Sequence, residues 1–142
     1  MICPACGKNL NQMVAGGVVL DVCNGGCGGI WFDTFELRKV EAVQETTGDL
    51  EINIPRDPAV KVDLNKRRVC PKCPGVILMR HYYSKKRGVV VDECANCGGL
   101  WLDAGELGQV RAEREALEAE ETSKAIISRI DVKYHSKAAA VP

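Results

Sequence analysis

Eight cysteines are the residues of this 142-residue chain whose type and spacing could carry chemistry. They form four close pairs with two or three residues between the members, which is the spacing of a metal-binding knuckle. Two knuckles together present four thiolates, and this donor set satisfies the tetrahedral coordination of a structural Zn²⁺ ion. The pairs are Cys3 and Cys6, Cys23 and Cys27, Cys70 and Cys73, and Cys94 and Cys97.

An internal repeat groups these pairs into two sets of four. In each copy a Cys-Pro-x-Cys pair precedes a β-branched run, a second cysteine pair, a Gly-Gly turn and the pattern Trp-x-Asp-x-x-Glu-Leu. The first copy spans residues 3–37 and the second spans residues 70–107. Four cysteines in each copy predict one metal site per copy and therefore two Zn²⁺ ions. Iron in a rubredoxin-type centre uses the same ligands and is the alternative metal.

Small size explains why each copy needs a metal. Each is shorter than the roughly 70 residues below which a domain usually needs a metal, a disulfide or a partner. Aromatic residues make up only 5% of the chain, so large core side chains are scarce. A disulfide framework is disfavoured because it would need an oxidising compartment, and the sequence shows no export signal. A redox Cys-x-x-Cys pair is disfavoured because it would need a βαβ context, which the sequence lacks. Pro74 has no N–H group, so we expect the knuckle before it to be less well hydrogen-bonded.

The pattern Cys-Pro-x-Cys followed by Cys-x₂-Cys-Gly-Gly-Leu-Trp-Leu-Asp-x-Gly-Glu-Leu resembles the transcription-factor-IIB-type zinc-ribbon family. The resemblance covers residues 3–37 and 70–107 and implies a small, metal-stabilised α+β fold of two tandem, rubredoxin-like zinc ribbons. It also implies the two ligand sets, which are Cys3, Cys6, Cys23 and Cys27, and Cys70, Cys73, Cys94 and Cys97. The first copy departs from the family pattern in its Cys-x₃-Cys spacing and in Thr34-Phe35, where the second has Ala-Gly.

Helices are predicted after the Gly-Gly turns, over residues 34–47 and from residue 104 to about residue 121. Asp33 and Asp103 are the predicted N-caps, and the glutamate three residues after each one completes a capping box. We expect the tryptophan of each copy to be the main core residue between helix and ribbon. Each zinc ribbon should therefore be followed by a capped α-helix.

Four segments follow from these elements. Residues 1–48 form the first zinc ribbon and its helix, and residues 49–66 form a linker with possible short strands. Residues 67–122 form the second ribbon with a longer, acidic helix, and residues 123–142 form a C-terminal extension that is predicted to be partly disordered.

A basic hairpin in the second copy is the best candidate for a binding surface. The chain has no net charge, which excludes a uniformly basic protein, but residues 61–87 are strongly basic. The tip of the second ribbon mixes cationic with aromatic residues, as proteins that bind single strands do. The predicted nucleic-acid contacts are Arg80, His81, Tyr82, Tyr83, Lys85, Lys86 and Arg87.

A protein adaptor is the alternative function, with the acidic helix of residues 104–121 as its contact surface. Four cysteines per ion leave no vacant coordination position, so we expect no enzyme activity. No apolar run reaches the roughly 20 residues of a membrane span, and the first cysteine pair begins at residue 3. These features predict a cytoplasmic protein that does not contact membranes. We expect a monomer, or a homodimer formed through the acidic helix.

Overall fold

Both copies of the repeat fold into the same series of elements, three antiparallel strands followed by a helix, in a computed structural model. The structure describes residues 1–48 and 50–139, with side chains up to residue 129. The first copy contains β1 (Asn11–Ala15), β2 (Val18–Val22), β3 (Ile30–Phe32) and α1 (Glu36–Thr47). The second contains β4 (Met79–Tyr82), β5 (Val90–Glu93), β6 (Leu100–Leu102) and α2 (Glu106–Ala139).

The two ribbons share one six-stranded sheet with the order β1-β2-β3-β6-β5-β4. Strands β3 and β6 pair antiparallel at its centre, and Trp31 lies directly opposite Trp101. This pairing relates the ribbons by an approximate two-fold axis. The predicted segments divide the ribbons along the chain, but backbone hydrogen bonds join their central strands.

Alternating side chains give the sheet two different faces. Ile30, Phe32 and Leu102 point towards the helices and form a core with apolar residues of α1 and α2. Trp31 and Trp101 point to the opposite face, where they pack among the cysteines. Both tryptophans are fully buried. They are core residues, as predicted, but they lie on the metal-site face and not between helix and ribbon.

The helix starts differ in part from the predicted capping boxes. The carboxylate of Glu36 accepts the backbone N–H of Asp33 at 2.7 Å, which is one half of such a box. The Asp33 carboxylate caps no helical N–H, and it accepts the indole N–H of Trp31 at 3.1 Å. The second copy repeats both contacts, at 2.8 and 3.1 Å. The other half of the prediction was wrong because a buried indole N–H needs an acceptor nearby.

The two helices end very differently. Helix α1 stops at Gly48, as predicted, where φ is 72° and the backbone N–H binds the carbonyl of Gln44 at 2.7 Å. Helix α2 continues to Ala139, through most of the extension for which disorder was predicted. Its sequence contains neither glycine nor proline between Gly108 and residue 140, so nothing local interrupts it. Residues 140–142 of the predicted extension lie outside the described residues.

Across the described part of the chain, no helix combines the length and apolarity of a membrane span.

The linker forms no strand of the sheet over residues 50–66, although Arg56 makes an isolated bridge with Gly26. Turns follow at residues 57–60 and 63–66. Its apolar residues alternate as predicted, and Ile52 and Ile54 pack on the helix-side core. Val60 and Val62 pack on the metal-side core, so the linker passes from one face of the sheet to the other. Prolines at positions 55 and 58 remove the N–H groups that a continuous ladder would need. Residue 49, the first of the predicted linker, lies outside the described residues.

Candidate metal centres and the basic hairpin

Each copy brings its four cysteines together at one end of its three strands. Within each set of four, all sulfur atoms lie within 4.8 Å of one another. Individual Sγ–Sγ distances are 3.6 Å for Cys3–Cys27, 3.4 Å for Cys6–Cys23 and 3.8 Å for Cys70–Cys97. A tetrahedral zinc ion with Zn–S bonds of about 2.3 Å requires sulfur separations of about 3.8 Å. Both predicted ligand sets therefore fit a zinc ion, and all eight cysteines are unpaired thiols.

Backbone N–H groups of the knuckles point at the sulfur atoms. In the first site Ala5 and Cys6 donate to Cys3 Sγ, both at 3.4 Å, and Cys27 donates to Cys23 Sγ at 3.3 Å. The second site has equivalent contacts to Cys70 and Cys94. A zinc ion with four thiolates carries a formal charge of −2, and these donors offset part of that charge.

The thiols of each site hold their protons unequally. The pKa of Cys3 is lowered to about 5, mainly because its thiolate accepts a hydrogen bond from the Cys27 thiol. The same contact raises the pKa of Cys27. Burial raises the pKa of Cys23 to about 11 and that of Cys70 to about 12. A metal ion that binds here displaces protons from the thiols, so metal affinity falls as the pH is lowered.

A side-chain donor strengthens the knuckle that precedes Pro74. Asn96 donates from Nδ2 to Cys73 Sγ at 3.2 Å, while Cys70 Sγ keeps both of its backbone donors. The expectation that this knuckle is less well hydrogen-bonded was therefore wrong. A proline after the second cysteine removes one backbone N–H, and the asparagine supplies a replacement from the facing knuckle.

We expect Asn96→Ala to loosen the second metal ion without unfolding the protein. Loss of a hydrogen bond to a ligand typically lowers metal affinity by about tenfold or more. The measurement is the rate of zinc transfer from the loaded protein to a colorimetric chelator. Asn24→Ala, an exposed asparagine in the first site's second knuckle, is the matched control. Equal transfer rates for the two variants would contradict a role for Asn96.

Comparison with known families agrees with these sites. The transcription factor zinc-finger family of the zinc-ribbon type matches residues 2–43 and 69–112, and each segment contains one four-cysteine cluster. The chain belongs to this zinc-ribbon family. No curated protein and no solved structure is significantly similar to it. The protein is therefore a tandem zinc-ribbon protein with two tetracysteine zinc-binding sites.

A buried arginine fastens the second zinc ribbon. Only 2% of the Arg68 side chain is exposed, and its Nη1 lies 3.0 Å from Asp92 and 2.7 Å from Asp103. From the sequence, Arg68 was one of many basic residues between positions 61 and 87. The feature of the sequence that could have revealed this role is Asp92, an acid within the apolar strand β5, because a buried carboxylate needs a cationic partner. Lys72 also has a specific partner, since its Nζ lies 2.8 Å from Asp33 of the first ribbon.

Glu106, the capping glutamate of the second ribbon, gives stability a pH dependence. Burial, reinforced by the charges of Asp103 and Asp92, raises its pKa from 4.5 to about 7. Because the folded state binds this proton more tightly than the unfolded state, the free energy of unfolding falls as the pH rises from 4.5 through 7.

We expect Glu106→Gln to remove the decrease in the free energy of unfolding that accompanies deprotonation of Glu106. Glutamine still offers an oxygen to the Asp103 N–H but carries no charge at any pH. The melting temperature of the variant relative to wild type should rise between about pH 6 and about pH 7.5 and then stay constant. Both proteins keep both zinc sites, so the pH dependence of metal binding cancels in the difference. A difference that does not change across this range would contradict the raised pKa.

One buried carboxylate ties the two helices together. Glu41 of α1 lies 2.8 Å from Nε of Arg111 and 2.5 Å from Nη1 of Arg114, both on α2. Arg111 also donates from Nη1 to the carbonyl of Leu50 in the linker, at 3.0 Å. Sequence analysis missed this cluster because its members are about 70 residues apart and look like ordinary surface charges.

Three of the predicted nucleic-acid contacts bind within the protein. Arg80 lies 3.1 Å from Asp92 and donates to two linker carbonyls, at 2.6 and 3.1 Å. Tyr83 packs on the helix-side core, where burial raises its pKa. Lys86 forms an ion pair with Glu120 of α2.

The other four predicted contacts lie on the surface, as Lys86 does, and among these four His81 also has a partner within the protein. His81 is exposed and its Nε2 lies 3.0 Å from Glu93. Tyr82 is 52% exposed, and the guanidinium carbon of Arg87 lies 5.8 Å from the centre of its ring. Lys85, in the same loop, is also exposed. The hairpin therefore presents one aromatic ring and two cations at its tip.

Several acids of the predicted partner-binding helix also have internal roles. Glu113 is buried and accepts the backbone N–H of Gly88 at 2.9 Å, which holds the hairpin against α2. Glu118 pairs with Arg114 on the same helix at 3.6 Å, and Glu120 pairs with Lys86. Glu115 and Glu121 remain exposed. Much of the acidic surface between residues 113 and 120 therefore supports the hairpin and the helix itself.

Proposed function

We propose that this zinc-ribbon protein is a non-catalytic module that binds single-stranded nucleic acid through the β4–β5 hairpin. The observation that carries the proposal is the exposed ring of Tyr82, with Arg87 over it and the exposed Lys85 three residues further along the chain. An aromatic platform with adjacent cations is the combination with which proteins hold an unpaired base and its phosphate. The corresponding tip of the first ribbon has the sequence Val-Ala-Gly-Gly and offers neither.

Further cations extend this surface along the edge strand β4. The carbonyl of Lys66 accepts a hydrogen bond from Arg80, which places the linker beside β4. The side chains of Lys66 and Arg67 are exposed there. A strand of phosphates lying along β4 would meet these two residues after the hairpin tip, and backbone contacts of this kind supply most of the affinity for nucleic acid.

A non-catalytic role agrees with the chemistry of the metal sites. Each zinc ion has four cysteine ligands, so no position is open for water or substrate. The ions therefore act by holding the ribbons in shape, and the binding chemistry lies in the side chains of the hairpin.

A salt series on the zinc-loaded protein tests the proposal. The anisotropy of a fluorescent single-stranded oligonucleotide is measured for wild type and for Lys85→Ala/Arg87→Ala. We expect the variant to bind more weakly and its plot of log affinity against log salt to be shallower by about 1.4, since each lost phosphate contact contributes about 0.7. Lys8→Ala/Lys39→Ala removes the same charge from exposed positions elsewhere and should leave the slope unchanged.

Substitutions of Tyr82 test whether base stacking contributes to binding in addition to charge. Tyr82→Ala should lower the affinity by about fivefold or more, whereas Tyr82→Phe should retain most of it, because stacking uses the ring and not the hydroxyl. Equal weakening by the hairpin and control double variants would contradict the proposal, as would the absence of binding at low salt. Either result would favour the alternative, a protein adaptor.

A further inference from the structure

The two-fold relation between the ribbons creates two equivalent grooves. Each groove lies between the start of one helix and the central strand of the other ribbon. One is lined by Leu37 and Glu41 of α1 with Leu100 of β6, and the other by Leu107 and Arg111 of α2 with Ile30 of β3. These are the corresponding positions of the repeat. We call the first the open groove and the second the closed groove.

The protein's own linker lies along the closed groove, which keeps a cavity of about 420 Å³ beside it. Ile52 and Ile54 pack there against the helix-side core, and Arg56 follows them over the Gly-Gly turn of the first ribbon. Backbone contacts fix both ends of this segment. Arg111 donates to the carbonyl of Leu50 at 3.0 Å, and the backbone N–H of Gly25 donates to the carbonyl of Pro55 at 2.8 Å. The scaffold thus holds an extended peptide with apolar residues at alternate positions.

No segment among the residues with described side chains, 1–48 and 50–129, lies along the open groove in this way. The reason is the difference between the helix ends. The chain turns back at Gly48 after α1 and enters the closed groove, whereas α2 continues as a helix past the corresponding position. The open groove has a cavity of about 570 Å³, compared with about 420 Å³ in the closed groove, and its apolar lining includes Phe32, Leu37 and Leu100.

Phe35 gives a second reason to expect a ligand in the open groove. It lies on the groove rim with 63% of its surface exposed, and its φ of 71° is unfavourable for any residue with a side chain. The second copy has Gly105 at this position, with a φ of 85°. The first copy therefore keeps a large apolar side chain where glycine would be less strained, and such outliers concentrate at ligand contacts.

The charges around the open groove favour a basic ligand. Glu41 at its base is neutralised by Arg111 and Arg114. The lining carries more acids than bases, since four carboxylates stand against the guanidinium groups of Arg38 and Arg114. Glu45 lies 3.6 Å from Arg114 and Glu93 lies 3.0 Å from His81, and the side chains of both acids stay half-exposed, at 55% and 40%. A cation in the ligand would find these carboxylates accessible, and rim charges of this kind steer association and select partners.

We propose that the open groove binds an extended peptide segment of a partner protein. The segment has two large apolar residues two positions apart and a basic residue after them. The closed groove gives the pattern, since the linker presents Ile52, Ile54 and Arg56 in this order. The proposal is distinct from nucleic-acid binding, because the residues that line the open groove do not include Tyr82, Lys85 or Arg87 of the hairpin tip.

A synthetic peptide with the linker's own sequence is the probe. A fluorescein-labelled copy of residues 50–57 is titrated with the zinc-loaded protein, and a control peptide carries serine in place of both isoleucines. Binding of the first peptide alone is expected, detected by fluorescence polarisation. A peptide with lysine in place of Glu51 should bind more tightly at low salt because of the acidic rim.

Two matched variants show which surface the peptide uses. Ala42→Arg places a long side chain in the open groove, whereas Ala112→Arg makes the same change at the corresponding exposed position of α2, outside both grooves. We expect the first variant to weaken binding by about tenfold and the second to change it by less than about twofold. Phe35→Gly, which relieves the backbone and removes a rim contact, should also weaken binding.

Three results would overturn the proposal. They are no binding at peptide concentrations up to about 1 mM, equal binding of the serine peptide, and unchanged affinity in both Ala42→Arg and Phe35→Gly. Unchanged affinity in these variants would also indicate that the peptide had displaced the linker from the closed groove. Zinc content and melting temperature confirm that each variant is folded.

Discussion

Replacing Cys94 and Cys97 together by serine is expected to unfold both zinc ribbons, including the one that keeps all four of its ligands. A structural zinc ion contributes on the order of 10–16 kcal/mol of apparent binding free energy, while small proteins are stable by only about 5–15 kcal/mol. Loss of the second ion therefore removes the fold of the second ribbon. Strand β3 then loses β6, its partner at the centre of the sheet, and Trp31 loses the surface on which it packs.

Metal counting and amide exchange together measure this effect. Native mass spectrometry should find two zinc ions in wild type and fewer than one, on average, in the variant. Hydrogen exchange should show that the amides of β1 and β2 are protected in wild type and unprotected in the variant. These strands lie far along the sheet from the substituted site, so their protection reports on the coupling between the ribbons.

The reciprocal variant, with Cys23 and Cys27 replaced by serine, should unfold the second ribbon in the same way. Chelation of zinc from wild type should unfold both ribbons in one transition, and added zinc should restore them. A variant that keeps one ion and protected β1 and β2 amides would contradict this prediction and make each ribbon an independent unit.

The metal ligands and the tandem ribbons were predictable because their signals are local. Cysteine pairs at knuckle spacing indicate metal binding by themselves, and repetition of the pattern identifies the two copies. Helix α1 ends at Gly48 because glycine adopts a positive φ without strain, so this boundary could be read from one residue. Half of each capping box was also predicted, since Glu36 and Glu106 accept the expected N–H groups.

The way in which the two copies meet could not be predicted. The repeat describes the elements within each copy, and strands β3 and β6 are too short, at three residues each, to show a period. The continuation of α2 was missed for a different reason. Ambiguous apolar residues near position 126 fit either a strand or a helix, and only the absence of a helix breaker favoured the helix.

The sequence predicted which cationic and aromatic residues form the binding surface, but it did not predict which of them have partners within the protein. Lys86 was counted among the free cations of the hairpin, but Glu120 pairs with it from 34 residues further along the chain. Arg80 likewise binds carbonyls of a linker whose course the sequence did not define. Composition shows whether a surface is acidic or basic. Contacts between residues far apart in the chain determine which of its charged side chains stay free to bind a ligand.

The largest effect outside the metal sites is expected from adding a single methyl group at the sheet centre. Gly29 of the first ribbon lies under the ring of Trp101, and Gly99 of the second lies under the ring of Trp31. A Cβ at position 29 would be 2.2 Å from Cζ2 of Trp101, and one at position 99 would be 2.0 Å from Cζ2 of Trp31. Both rings are fully buried and cannot move aside. The Gly-Gly turn of each copy thus makes room for the tryptophan of the other.

We therefore expect Gly29→Ala and Gly99→Ala each to destabilise the zinc-loaded protein by about 2–3 kcal/mol, the upper part of the range for overpacked cores. Guanidinium unfolding in the presence of zinc measures the change. Gly108→Ala is the control, because a Cβ at that exposed position in α2 would meet no atom within 4 Å. This control should raise stability by about 0.5–1 kcal/mol, since alanine favours a helix over glycine. If all three substitutions stabilised the protein alike, the tryptophans could not be packed across the ribbons, and the joined sheet would lose its main support.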